Sequence, residues 1–259
     1  MGTGAITSHI DVAQIVLYAF WIFFAGLIIY IRKEDKREGY PLESDRSGAI
    51  KVQGWPVMPD PKSYKLPHGG SVLKPNPAEA TAAAEPILAE PVELWPGAPL
   101  EPTGNPMLDG VGPGAYAARA DSPDLTLEGE PKILPLRVAA DFGIASAGPD
   151  PRGMDVVGGD GIVAGVVTDA WVDRAEPQVR YLEVEVAGSK RHVLVPMGFS
   201  KVDSYRSRVV VRSIMAAQFE QVPALRNPNQ ITMLEEDRVS AYYGAGTLYA
   251  EPSRMGPWL

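Results

Sequence analysis

VAQIVLYAFWIFFAGLIIYI, residues 12–31, decides how the rest of the chain is arranged. Its 20 residues carry no charge, and Gln14 is the one clearly polar side chain among them. At about 1.5 Å per residue, a helix of that length matches the roughly 30 Å hydrocarbon layer of a bilayer. Surface helices of soluble proteins keep a polar face, so a stretch that is apolar on every side points to lipid as its solvent. The flanks are lopsided: Asp11 precedes the run, whereas Arg32, Lys33, Lys36 and Arg37 follow it. Lys and Arg accumulate on cytoplasmic flanks, so the N-terminus is expected outside and everything beyond the helix in the cytoplasm. The run is too long for the core of a signal peptide, no basic residue precedes it, and no small-residue cleavage site follows. The reading is an anchor, with Trp21 and Phe24 in mid-span and Tyr30 at the interface.

About 220 residues follow, enough for one or two domains with a core of their own. No other stretch approaches 18 consecutive apolar residues, so a single span is predicted. The net charge of −8 argues against a nucleic-acid partner. The basic cluster at 32–37 reads as a topology signal in contact with lipid headgroups. The absence of cysteine excludes disulfides, thiolate catalysis and sulfur-ligated clusters. Of the 25 prolines, 17 lie between Pro41 and Pro135, and no sustained helix or strand period runs through that region. Residues 32–133 are therefore expected to run extended. Trp55, Tyr64, Trp95, Met107 and Tyr116 suggest a segment lying on a surface, the alternative being a disordered tether. The Ala-rich part at 77–90 is the least ordered on this reading. Gly110, Gly112 and Gly114 read as turn glycines, because Pro113 interrupts them and no strand leads into them.

From residue 134 the pattern changes to short strands. In VVGGDGIVAGVVTDAWVD, 156–173, a glycine turn precedes a β-branched run. VRYLEVEV, 179–186, alternates, with Tyr181, Glu183 and Glu185 on one face and Leu182, Val184 and Val186 on the other. The stretch AGSK at 187–190 connects it to a return strand at 192–196, and a second hairpin turns near Ser204 to Arg206. Strands spaced in this way imply a small antiparallel barrel or sandwich. A helix follows, opened by the capping box of Thr232 and Glu235, with Val239, Tyr242, Tyr243 and Gly246 on its packing face. Glu235, Glu236 and Asp237 read as a solvated first turn. The fold class is thus membrane-anchored and mainly β. The expected parts are an outer tail at 1–11, the transmembrane helix at 12–31, the extended segment at 32–133, a barrel with its C-terminal helix at 134–250, and a loose tail at 251–259.

The inventory for catalysis is poor. His9, His68 and His192 are scattered over a tail, an extended segment and a strand, and no nucleotide loop, nucleophile elbow or zinc-protease motif occurs. No catalytic, cofactor or metal residue is expected in this chain. Carboxylates remain: Glu128 and Glu130 around Gly129, then Asp169, Asp173, Glu176, Glu183 and Glu185, with Arg174 and Arg180 between them. Such groups are either surface charges or, where both signs crowd together and spread their pKa values, proton carriers. The residues alone leave both readings open.

AFWIFFAGLIIY at 19–30, REGYPLES at 37–44, PTGNPMLDGVGP at 102–113, WVD at 171–173, EPQVRYLEVEV at 176–186 and TMLEEDRVSAYYGAGTLYA at 232–250 resemble the H subunit of purple bacterial photosynthetic reaction centres. The likeness runs in order along nearly the whole chain. It implies a PRC-type barrel as the cytoplasmic domain, and a non-catalytic accessory subunit on the cytoplasmic face of the L and M subunits. Those subunits hold bacteriochlorophyll, bacteriopheophytin, carotenoid, quinones and non-haem iron. Further implied partners are membrane lipids, a light-harvesting 1 ring and, optionally, a cytochrome subunit. The location implied is the bacterial inner membrane with its intracytoplasmic, chromatophore extensions. The resemblance also implies stabilisation of the L/M core and proton conduction to the secondary quinone. Position by position, Glu176, Asp173 and Arg180 match the family's charged group near that quinone. At the proton-entrance surface the better-known members carry His-Gly-His with an aspartate two residues earlier. Glu128, Gly129 and Glu130 stand there in this chain, with Thr126 at the aspartate's place. The competing reading is a membrane-tethered PRC-barrel adaptor for another protein; REGYPLES and the ordered extended motifs favour the reaction-centre reading.

Overall fold

The computed structural model describes residues 11–37, 55–57, 59–76, 87–95 and 97–255. The expected outer tail at 1–10, REGYPLES beyond Arg37, most of the Ala-rich stretch and the last four residues lie outside the described residues. The chain divides into two compact units, residues 1–85 and 86–259.

In the first unit, helix α1 spans Val12–Asp35 with no buried residue. Its 24 residues cover about 36 Å, with a mean hydropathy of 2.3 over its most apolar window. It is the one helix among the described residues long and apolar enough to cross a membrane. Gln14, the polar exception in the run, completes a capping box: its amide N–H donates to the Asp11 carboxylate at 2.8 Å, and its side chain accepts from the Asp11 amide. The helix continues four residues past the expected end at Ile31. Arg32 pairs with Asp35 and Glu34 with Arg37, each three residues on, so opposite charges support the turn after the apolar run ends. The basic cluster also makes contacts of its own. Lys36 donates to the Pro56 carbonyl, and Arg37 donates to the carbonyls of Asp60 and Lys74, tying the extended segment back to the helix end. Strands β1 (Lys62–Lys65) and β2 (Ser71–Lys74) form a hairpin in this segment.

The second unit is built on a sheet of seven strands. After the small pair β3 (Ala89–Pro91) and β4 (Leu100–Pro102) come β5 (Ile133–Pro135), β6 (Asp155–Val157), β7 (Val163–Asp173), β8 (Gln178–Val186), β9 (His192–Pro196), β10 (Ser200–Asp203) and β11 (Arg208–Val211). The order is β10-β11-β6-β7-β8-β9, with β5 also on β7. Val156, Val167, Leu182, Val195, Val209 and Val211 meet in one core with Trp171, Phe219 and Tyr243. This is the expected PRC-type architecture with two corrections. β11 pairs with β6 in parallel, so the sheet is not wholly antiparallel. The ladder is also open, since β9 and β10 are its ends and do not pair. The chain passes directly from β9 to β10 through the short 3-10 turn Met197–Phe199.

Helix α2 (Met233–Tyr249) opens with Thr232 accepting from the Glu235 amide at 3.1 Å, the predicted capping box. Val239, Tyr242, Tyr243 and Gly246 are buried as expected. The glycines at 112 and 114 serve more than turns. Gly112 has φ +60°, and a Cβ on Gly114 would lie 2.9 Å from Ala245 Cβ, so bare backbone lets this stretch lie directly on α2. From the other side, a Cβ on Gly244 would lie 2.4 Å from the Pro113 carbonyl oxygen. Met107 and Val111 are buried, Met107 within the same core. The last third of the Pro-rich region is therefore packed against the β-domain.

Candidate functional site

The turn between β7 and β8 is organised by Asp173, which is fully buried. One carboxylate oxygen accepts from the amides of Ala175 and Glu176, both at 3.0 Å, the local closure that makes aspartate a turn residue. The other accepts from Arg180 at 3.0 and 3.2 Å, with Lys132 Nζ at 3.7 Å. Burial works against the charge, but the Glu176 amide, Arg180, the Ala175 amide and Lys132 outweigh it and hold the carboxyl below its usual range. Arg180 reaches on to Glu176 at 3.3 Å, and Gln178 donates to the same carboxylate oxygen at 3.1 Å. Asp173 is thus the anchor, Arg180 the bridge and Glu176 the tip, whose side chain is 66 % exposed.

Glu128 and Glu130 lie on a tight loop closed by the Thr126 amide donating to the Glu130 carbonyl, with Gly129 at φ +85°. Its own amide is the chief cause holding the Glu128 carboxyl below the usual range. Glu130 pairs with Arg174 at 2.6 Å, and the Arg174 amide donates to the Lys132 carbonyl. The loop of Glu128 and Glu130 is therefore fastened to the turn of Asp173 and Glu176, and the five residues singled out from sequence share one neighbourhood.

Beside the Asp173 turn, the base of the Glu128–Glu130 loop and the start of α2 lies a cleft of about 530 Å³. Arg119, Asp124, Lys132, Arg180, Tyr181 and Glu236 give it its charged and polar walls. The sequence reading left out Asp124, Lys132, Tyr181 and Glu236. Glu236, expected in a solvated first turn, is half-buried and accepts from the Tyr181 hydroxyl at 3.1 Å. The available signal was Tyr181 itself, an aromatic hydroxyl on the supposedly polar face of an alternating strand.

A second charged group sits farther along the same strands. Asp169 and Glu183 are both buried and face each other across β7 and β8. Arg137 bridges them, at 3.1 Å to Asp169 and 2.6 Å to Glu183, and stacks over Trp171. Glu183 also accepts from Trp171 Nε1 at 2.8 Å and contacts His192 Nδ1 at 2.9 Å. Glu185 stays half-exposed, 3.8 Å from His192 Nε2. Among the described residues no three His, Cys, Asp or Glu side chains come together as a metal site.

Comparison with known families agrees with this architecture. The family model described as the photosynthetic reaction centre H-chain, N-terminal region, matches residues 4–138, more than half of the chain. The chain belongs to the reaction-centre H-chain family. A PRC-barrel domain model matches residues 144–218, which span β6 to β11. Membership and the apolar α1 together fit a single-pass membrane protein associated with a reaction-centre complex.

Proposed function

We propose that this H chain caps the cytoplasmic face of the L and M subunits, stabilises that pigment-bearing core and conducts protons to the secondary quinone. In this reading the bacteriochlorophylls, bacteriopheophytins, carotenoid, quinones and iron belong to L and M, and a light-harvesting ring and a cytochrome are neighbours of the complex. The chain itself is non-catalytic. The observation that carries the proton reading is the linkage of the Glu128–Glu130 loop to the Asp173–Arg180–Glu176 cluster through Arg174 and Lys132. Such an arrangement supplies surface carboxylates that collect protons and, beyond them, a charged group that hands them inward.

Glu176 is the exposed carboxylate at the tip of this cluster, held by Arg180 and Gln178 above the buried Asp173. Glu176→Gln keeps the shape and removes the titration. Positioned proton transfer contributes about 10²–10⁴-fold, so the second electron transfer to the secondary quinone is expected to slow about tenfold or more in the assembled reaction centre. The first transfer and the composition of the complex are expected to stay unchanged. An unaltered second transfer with an unaltered pH dependence would remove Glu176 from the path.

The entrance has its own test. Glu128 and Glu130 offer only oxygen donors, and one of them is already engaged by Arg174. Imidazole is a good ligand for Zn²⁺, so a His-Gly-His surface is readily blocked by the metal. Zinc at roughly micromolar levels is expected to slow proton uptake here much less than in histidine-bearing relatives. Equal sensitivity would place the entrance elsewhere.

The orientation follows from Arg32, Lys33, Lys36 and Arg37 at the end of α1, which put residues 32–259 in the cytoplasm. Protease added to inside-out vesicles is expected to remove the β-domain, and protection would reverse the topology.

A further inference from the structure

Glu236 is a half-buried carboxylate that its own helix does not need. The N-terminus of α2 is capped by Thr232 and Glu235, which satisfy each other's amides at 2.9 and 3.1 Å. Glu236 points instead into the cleft and takes its hydrogen bond from Tyr181, on the facing strand. Half-burying a carboxylate costs free energy that one neutral hydrogen bond does not recover, so its placement calls for a reason beyond helix capping.

The surroundings supply one. The cleft, at about 530 Å³, has room for on the order of ten water molecules. Its charged and polar walls are Arg119, Asp124 and Lys132, Asp173 at the end of β7, Arg180 and Tyr181 on β8, and Glu236 itself, closed by the turn after β9; Asp237, next along α2, also acts on the charge of Glu236. Lys132 spans the space, 3.5 Å from Asp124 and 3.7 Å from Asp173. It is also two residues from Glu130, on the loop that bears the proposed entrance.

We propose that Glu236 is a proton-holding group of this cleft, which it shares with Asp173 and Arg180 of the delivery cluster and with Asp124 and Lys132 at the base of the Glu128–Glu130 loop, with Tyr181 as its positioning residue. This rests on the proton-conducting reading given above. The charge balance around Glu236 suits the role. Burial raises its affinity for a proton, and Asp124 and Asp237 add to that; the Tyr181 hydrogen bond and Arg119 oppose it, with burial prevailing. Tyr181 stays protonated throughout, because burial and the adjacent carboxylate push its own pKa far up, so it is a fixed donor. The step is a plain proton relay: an excess proton arriving on water in the cleft passes to the Glu236 carboxylate, leaving that water neutral, and the acid hands it on to the next water on the Asp173 side.

The test compares Glu236→Gln, Tyr181→Phe and Glu176→Gln in the intact reaction centre, by proton uptake on quinone reduction and by light-induced infrared difference spectroscopy. Glu236→Gln is expected to abolish one protonated-carboxyl band that responds to quinone reduction. It is also expected to slow uptake about tenfold, less than the full contribution of a positioned acid because other groups share the cleft. Tyr181→Phe removes a donor that favours the ionised form, so it moves that band's titration, and the pH profile of uptake, upward. A carboxylate that merely latches α2 to the sheet would lose stability in both variants and move neither spectrum nor profile. If Glu176→Gln slows the second transfer while Glu236→Gln changes neither band nor rate, the Glu236 inference fails and the conduction reading stands. If all three variants leave uptake and spectrum unchanged, both fall together.

Discussion

Arg137→Ala is expected to cost the β-domain about 1–3 kcal/mol, because two buried carboxylates lose their shared cation while the guanidinium itself is more than a third exposed and partly screened by solvent. Asp169 and Glu183 sit directly opposite each other on β7 and β8, and like charges in that register repel. The Arg137 guanidinium lies between them, within 3.1 Å of one and 2.6 Å of the other. It also donates to Asn229 and to the Pro228 carbonyl, so a single side chain joins the turn after β5, the two central strands and the loop before α2. Without it two carboxylates remain buried, and only Trp171 Nε1 and His192 contact Glu183. Urea unfolding of the full chain in mild detergent reads the loss as a lower midpoint at unchanged slope. Glu183→Gln added to Arg137→Ala is expected to recover part of it, because the second change removes one of the stranded charges. Simple additivity of the two substitutions would show that the cluster is not the coupled unit described.

The same cluster explains where the sequence could be read and where it could not. The alternation of VRYLEVEV was legible and the strand is there, but the alternation could not tell that Tyr181 and Glu183 on its polar face are buried. Period-two alternation reports which residues share a face and says nothing of what covers it. Here α2 covers one end of that face and Arg137 the other, and both come from distant sequence. β7 hid a further signal. A register shift between Val167 and Asp169 leaves Thr168 as the extra residue, so Asp169 pairs with Glu183 instead of following Val167 onto the face of Val184. Hairpins and caps were legible because a few adjacent residues determine them, as at Thr232 and Glu235. The parallel pairing of β11 with β6 has no local signal at all, since the two strands are about 50 residues apart. Likewise the five charged residues of the candidate site were nameable from sequence. Their common neighbourhood depends on Arg174 and Lys132, whose pairing needs the folded turn.

Asp173→Asn is expected to be the most damaging substitution in that neighbourhood, and its pH dependence identifies why. In the wild type the folded-state pKa lies below the value of about 3.9 for an unfolded chain. A depressed carboxyl contributes stability that is complete above the unfolded value and is lost as pH falls through it toward the folded one. Asparagine keeps an oxygen for the amides of Ala175 and Glu176 but turns an NH₂ toward Arg180 and Lys132, donors facing donors. Hydrogen bonds to charged groups are worth about 1.5–3 kcal/mol, so a loss of that order is expected at neutral pH. The gap between wild type and variant should begin to narrow below about pH 4, where the unfolded chain's carboxyl takes up a proton that the folded Asp173 still resists. The variant also separates anchoring from carrying. Because Asp173 stays ionised at neutral pH, its loss should slow proton delivery by misplacing Arg180 and Glu176, without shifting the pH at which delivery falls off. A gap in stability that is the same at pH 3 and pH 7 would mean the charge on Asp173 is not what holds the turn. A shifted pH profile of delivery would make Asp173 a carrier in its own right.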